Sequence, residues 1–312
     1  MINMKKIFAV SAGIGAAVML AGCAITFGSS VHYSDSEKYT AGNREITDKI
    51  DALDIDYMSG EVTLKAVDGN VLSVEETARK ELYTEQEVHT WVDGSTLRVR
   101  YCAAGNGIDL NNLDKRLTIE IPSDWKLGDV TIDITSGDVT CRDIETADFN
   151  CSASSGDMDI EVSADTIRMD ATSGDLNLIQ KGESKDISIE VSSGTVRGDI
   201  EKAGTVNVSA TSGNIDIECE SVGSFRSDVS SGTEKYTFEK MPESIESDAT
   251  SGDLTFYIPS NPDVTLRVDQ TSGDLHYDMS FSKDGEKYVA GNGTNRMDIS
   301  TSSGDIYIKS LN

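Results

Sequence analysis

The chain has 312 residues, of which 54 are acidic and 27 basic, giving a formal net charge of -27 with only four prolines and three histidines. It is long enough for a sizeable core, and a surface this negative repels nucleic-acid phosphates and anionic headgroups, so nucleic acid is excluded as a partner. The charge is interleaved with apolar residues instead of gathered in one tail, which argues for a folded chain.

Lys5 and Lys6 precede an apolar run over 7–21, IFAVSAGIGAAVMLA, which is short for a membrane span and closes in LAGC at 20–23. This segment resembles the signal peptide and lipobox of bacterial lipoproteins. The resemblance implies cleavage before Cys23 and acylation of its thiol and new amino group, and several acyl chains anchor stably where one does not. A plain secretory signal that happens to hold a cysteine is the alternative. Both put the mature protein outside the cytoplasm, and the first makes it a lipid-anchored protein of the bacterial envelope with the membrane as a partner through Cys23. Residues 24–45 are polar and lack periodicity, so they are expected to form a tether.

Alternation begins at Ile46. Residues 46–129 are expected to form an N-terminal β region with hairpins that starts a solenoid. It contains VLSVEET (71–77), VHTWVDGSTLRVRY (88–101) with a turn at Asp93-Gly94, and KRLTIEIPSDW (115–125). Between them, ARKELYTEQEV (78–88) reads as extended or hairpin in preference to helix. An isolated copy of the repeat described next, LDIDYMSGEVTL, starts at 53.

From 130 to 312 one pattern recurs: VTIDITSGDVTC from 130, FNCSASSGDMDI from 149, IRMDATSGDLNL from 167, and so on to MDISTSSGDIYI from 297. Successive starts are 19, 18, 20, 19, 19, 20, 21 and 31 residues apart. Val130, Ile132 and Ile134 alternate with polar residues, the phase breaks at Gly137-Asp138, and Val139 and Cys141 resume the apolar positions. Each repeat is therefore a strand, a glycine corner, a second strand and a return, too short to hold a full helix. One such rung cannot bury its own apolar row, whereas stacked rungs can, so the fold class is all-β, a single-stranded β-solenoid (β-helix) with rungs of about 19 residues. The long last interval, around FSKDGEKYVAGNGTN, is expected to protrude as a loop or hairpin at the last turn and to cover an open edge.

The corners hold Ser136-Gly137, Ser155-Gly156, Ser173-Gly174, Ser193-Gly194, Ser212-Gly213, Ser231-Gly232, Ser251-Gly252, Ser272-Gly273 and Ser303-Gly304. A row of serines invites comparison with nucleophiles, but His32, His89 and His276 do not recur with it. A residue needed in every rung is a construction element, so these pairs are expected to be structural, with each Ser leaning inward and bonding to its corner or to the next Ser. Asp138, Asp157, Asp175, Asp253, Asp274 and Asp305 follow six of the glycines. They are expected to cap the turns, with weak cation or ligand binding as the alternative and paired-carboxylate catalysis as a third. A hydroxyl column just before each Ser, from Thr135 to Ser302, should face solvent. Cys102, Cys141, Cys151 and Cys219 are expected to be buried thiols, a Cys141–Cys151 bridge being the alternative, and nothing in their spacing points to zinc. Neither a catalytic residue nor a cofactor is expected.

The segments RLTIEIPSDWKLGDVTIDITSGDVT (116–140), DLTFYIPSNPDVTLRVDQTSGDLH (253–276) and GNGTNRMDISTSSGDIYIK (291–309) resemble the bacterial putative adhesin family of repeat domains. That resemblance spans about residues 46–312 and implies a β-solenoid on a secreted or membrane-tethered protein, with no catalytic residues to carry over. The function expected is a non-enzymatic, adhesin-like binding or scaffold module whose ligand is a glycan, matrix component or envelope protein. An accessory regulator of envelope stress acting through a membrane partner is the alternative, followed by a polysaccharide-active β-helix enzyme.

Overall fold

A strand with a two-residue period has one apolar row to bury and backbone to pair on both edges, and stacking rungs satisfies both needs together. The computed structural model describes residues 31–105 and 113–311. Cys23 and the signal segment lie outside the described residues. Among the described residues the chain is strand nearly throughout, with one short 3-10 turn at Ser36–Lys38.

The N-terminal region contributes β1 (Thr40–Ala41), β2 (Arg44–Ile46), β3 (Ala52–Val67), β4 (Leu72–Thr77), β5 (His89–Asp93), β6 (Thr96–Arg100) and β7 (Arg116–Pro122). β5 and β6 form the hairpin expected at Asp93-Gly94, with Gly94 at φ 65°. β4 lies antiparallel on β7. Residues 78–88 carry a turn in which Gln86 N–H donates to the Tyr83 carbonyl, and no helix.

Residues 31–45 differ from the expected tether. Val31 is 3% exposed, the Tyr33 hydroxyl donates to the Cys102 carbonyl at 3.0 Å, and β1 and β2 pair antiparallel with β5 and β4. Strands of two and three residues are too short to show a period, which is why the sequence reads as coil there.

β8 (Leu127–Ser155), β9 (Met158–Ser173) and β10 (Leu176–Phe238) then carry the chain through successive rungs. Their parallel register steps by one repeat, as in Val139 beside Met158 and Met158 beside Leu176. β11 (Ser244–Ser251) and β12 (Leu254–Pro259) form the following rung, with Phe225 beside Ile245. β13 (Val264–Gln270), β14 (Leu275–Tyr277), β15 (Ser282–Asp284), β16 (Lys287–Ala290), β17 (Asn295–Ser303) and β18 (Ile306–Leu311) complete the chain. The solenoid reading is therefore correct, with Val130, Ile132, Ile134, Val139 and Cys141 all inside.

Stacking order departs from chain order at both ends. β3 lies between the split rung β6/β7 and β8, placing Leu53 beside both Leu97 and Val130. At the other end β17 lies between β11 and β13, placing Met297 beside both Ile245 and Leu266. The last repeat in sequence is thus the penultimate rung, and the outermost rung is the one before it. The expected hairpin does form, from β15 and β16, and β16 lies antiparallel on Val264–Arg267 of β13 and covers that part of the outer edge. The 31-residue interval gives the chain the length to step over this rung and return inside it.

Candidate binding face and groove

The corner glycines form one column in stacking order, from Gly60 through Gly137 and Gly252 to Gly304 and Gly273. All ten have positive φ, between 112° and 153°. A Cβ on Gly213, for instance, would stand 2.0 Å from the carbonyl oxygen of Gly194. Backbone is thus packed on backbone, and glycine is required both for its conformation and for its lack of a side chain.

The carboxylates beside this column form a ladder. Asp157 N–H donates to Asp138 Oδ1 at 2.9 Å, Asp175 N–H to Asp157 at 2.8 Å, and Thr195 N–H to Asp175 at 3.1 Å. At the C-terminal end Asp305 N–H donates to Asp253 and Asp274 N–H to Asp305, each at 2.9 Å. Each of these acceptor carboxylates caps the rung that follows it in the stack and not its own corner.

The serines are placed otherwise than expected. Ser136, Ser193, Ser212, Ser251, Ser272 and Ser303 are exposed and Ser155, Ser173 and Ser231 are half-buried. The last inward position is two residues earlier, at Ile134, Ala153, Ala171, Val191 and their counterparts, because the chain has already left the core when it reaches the corner. Ser173 and Ser231 donate to the carbonyls of Ser154 and Thr211 in the preceding rungs, each at 3.3 Å. The outward hydroxyl column from Thr135 to Ser302 is half-buried to exposed, as anticipated.

All four described cysteines are buried free thiols. Burial pushes Cys102 up to about 11 and Cys219 up to about 12, so they remain protonated and unreactive at neutral pH.

Two buried polar clusters escaped the sequence. Glu234 occupies an inward position that other rungs fill with Val139, Leu176 or Leu254, and is 1% exposed. It accepts the Tyr236 hydroxyl at 2.7 Å, and Ser227 and Ser247 bond to each other nearby at 2.8 Å. Burial, opposed by hydrogen bonds from Tyr236 and Ser227, raises the Glu234 carboxyl to about 7. At the N-terminal end Lys115 Nζ meets Glu76 at 2.7 Å with both side chains at 2% exposure or less. Tyr57 and the Val88 N–H also donate to Glu76, and Lys115 donates to the Gln86 and Tyr101 carbonyls. Glu234 had a visible signal, a charged residue in an apolar column, and so did Glu76, which stands in phase with Leu72 and Val74 on β4; Lys115 had none, because it precedes β7 outside the repeat.

A groove of ≈ 820 Å³ opens at the C-terminal end between the outward face of β11, β17 and β13 and the tip of the β15–β16 hairpin. Glu246, Asp248, Asp269, Asp284, Glu286 and Asp298 line it, with Arg267 and Lys287 as the cations and Gln270 and Ser300 as neutral donors. Desolvation, then the neighbouring Glu246, raises the Asp248 carboxyl. None of the corner Ser, Gly or Asp residues lines this groove, so the candidate ligand face read from the sequence and the concave site are separate surfaces.

A family model described as Toastrack DUF4097 matches residues 50–309, most of the chain and nearly all of the described strands. The chain belongs to the Toastrack DUF4097 family. Several solved structures resemble this Toastrack chain. A putative adhesin from Parabacteroides merdae ATCC 43184 is 12% identical, with a TM-score of 0.49 over 88% of this chain and 97% of that one. One from Bacteroides fragilis NCTC 9343 is also 12% identical, with a TM-score of 0.44 over 86% and 96%. A protein named as a putative lipid binding protein, from Parabacteroides distasonis ATCC 8503, is 14% identical, with a TM-score of 0.38 over 88% and 97%. No curated protein matches the chain.

Proposed function

We propose that this chain is a non-enzymatic binding module of the bacterial envelope, anchored through lipid on Cys23 and presenting its acidic groove at the far end of the solenoid. The observation that carries it is the groove under the β15–β16 hairpin, which combines six carboxylates, two cations and neutral donors in one concave surface. Such a lining suits a hydroxyl- or amine-bearing ligand, a glycan or a basic segment of an envelope or matrix protein, and disfavours anions. Ten rung spacings of ~4.8 Å separate that end from β6/β7, roughly 48 Å. Residues 24–30 between Cys23 and Val31 span at most about 25 Å. A structural role for the Asp ladder, whose carboxylates are engaged with the amides of neighbouring rungs, supports binding over acid–base catalysis.

Binding of the full chain to a glycan and matrix-protein array tests this reading. Selective capture that is lost in a Glu246→Gln, Asp248→Asn, Asp269→Asn variant supports it, and capture indifferent to those changes removes the groove from the function. Metabolic labelling with a fatty acid tests the anchor, since label must disappear in Cys23→Ala.

A further inference from the structure

Outside the groove, the C-terminal end of the Asp ladder holds a different chemistry. Asp274 and Asp305 share their rungs' corner with His276, and one ligand atom from each of the three lies within 4.8 Å of the others. We propose that Asp274, His276 and Asp305 form a binding site for a divalent transition-metal ion of the zinc class.

Three features of the ladder support this. The carboxylates of Asp138, Asp157, Asp175, Asp253 and Asp305 each accept an N–H from the next rung. Asp274 sits on the outermost rung, where no further N–H arrives, and among the described residues its carboxylate accepts no hydrogen bond. Second, Asp253, Asp305 and Asp274 are consecutive in the stack, and two carboxylates a rung apart repel by roughly 0.9 kcal/mol even in water; a dication reverses the sign of that term. Third, the other two ligands are already oriented. His276 stacks on Tyr307 with ring centroids 4.9 Å apart and planes 15° apart, and the Tyr307 hydroxyl donates to Asp305 Oδ2 at 3.2 Å. Contacts of this outer kind are what fix metal ligands in place.

The donor set chooses the ion. One imidazole with two carboxylates suits zinc or its neighbours nickel, cobalt and copper, whereas calcium takes six to eight oxygens and gains nothing from a ring nitrogen. His276 and Asp274 are exposed, so water completes the coordination of a tetrahedral ion. The interchange of the last two rungs is what makes the site: Asp305 is 31 residues from Asp274 in sequence, and β18 lies directly against β14. This proposal is independent of the groove.

Titration of the untagged full chain with zinc chloride in a calorimeter, and with cobalt chloride followed by visible absorption, tests it. The expected result is one saturable site per chain whose dissociation constant rises at least about tenfold in both His276→Ala and Asp274→Asn. Asp138→Asn with Asp157→Asn, at the far end of the ladder, should leave it unchanged. Circular dichroism of each variant confirms that the stack is intact. Absence of a saturable site, or equal weakening by the distant pair, which would signify diffuse attraction to an acidic surface, overturns the proposal.

Discussion

Glu234 makes the stability of this domain depend on pH in a way its surface charges cannot imitate. Its carboxyl lies in the core column and is raised from 4.5 to about 7, burial being the main cause. Below pH 4.5 the group is protonated in both folded and unfolded chains and contributes no penalty. As pH rises from there to 7 the unfolded chain releases the proton while the folded one retains it, so stability falls by about 1.4 kcal/mol per pH unit. Above 7 the folded carboxylate ionises too and the loss levels off, at roughly 3 kcal/mol.

Glu234→Gln keeps the shape and removes the titration. Urea unfolding of both chains, at half-unit steps from pH 4.5 to 8, should give a difference curve that moves by about 3 kcal/mol in favour of Gln and then flattens near pH 7. The subtraction removes the shared contribution of the other carboxylates. A flat difference curve would refute the reasoning, because it would mean that the carboxyl ionises as freely inside the rung as outside.

Three further outcomes follow from packing. Gly213→Ala should cost at least about 3 kcal/mol by thermal or urea unfolding, since it combines positive φ with backbone contact, while Gly285→Ala at the open hairpin tip should cost about 1. Lys115→Met leaves Glu76 buried without its cation and should lose about 3–5 kcal/mol, with much of the loss recovered when Glu76→Leu is added. Removal of residues 295–312 withdraws Met297, Ile299, Ile306 and Ile308 from the core, worth roughly 6–12 kcal/mol of burial, and should make 260–294 the first segment cut by protease.

The fold was legible because its determinants are local and repeated. Val130, Ile132 and Ile134 show the strand, Gly137 shows the corner, and the repetition of both shows the stack. The serines misled because parity was carried one step too far: the corner redirects the backbone before Ser136, so a residue in phase with Ile134 is already outside. The groove was not legible at all, since Asp284 and Glu286 come from the insertion while Glu246 and Asp298 come from rungs 52 residues apart. Nothing in spacing alone reveals that the second of these rungs returns inside the first available place in the stack.

That return also explains how a chain of parallel rungs ends. A parallel edge exposes a full row of unpaired N–H and C=O groups, and simply stopping would leave a template for another chain. Here each end of the repeat is enclosed. β3, the first rung of the repeat pattern, lies beneath β6/β7, and β17, part of the last, lies beneath β13. What remains outermost can then be covered by antiparallel strands that need only short connections, β4 and β5 at one end and β16 at the other. The hairpin that supplies β16 also forms one wall of the groove through Asp284 and Glu286. Edge protection and the candidate binding surface are therefore built by the same insertion, so changes to its tip can alter the ligand while its paired base continues to seal the stack.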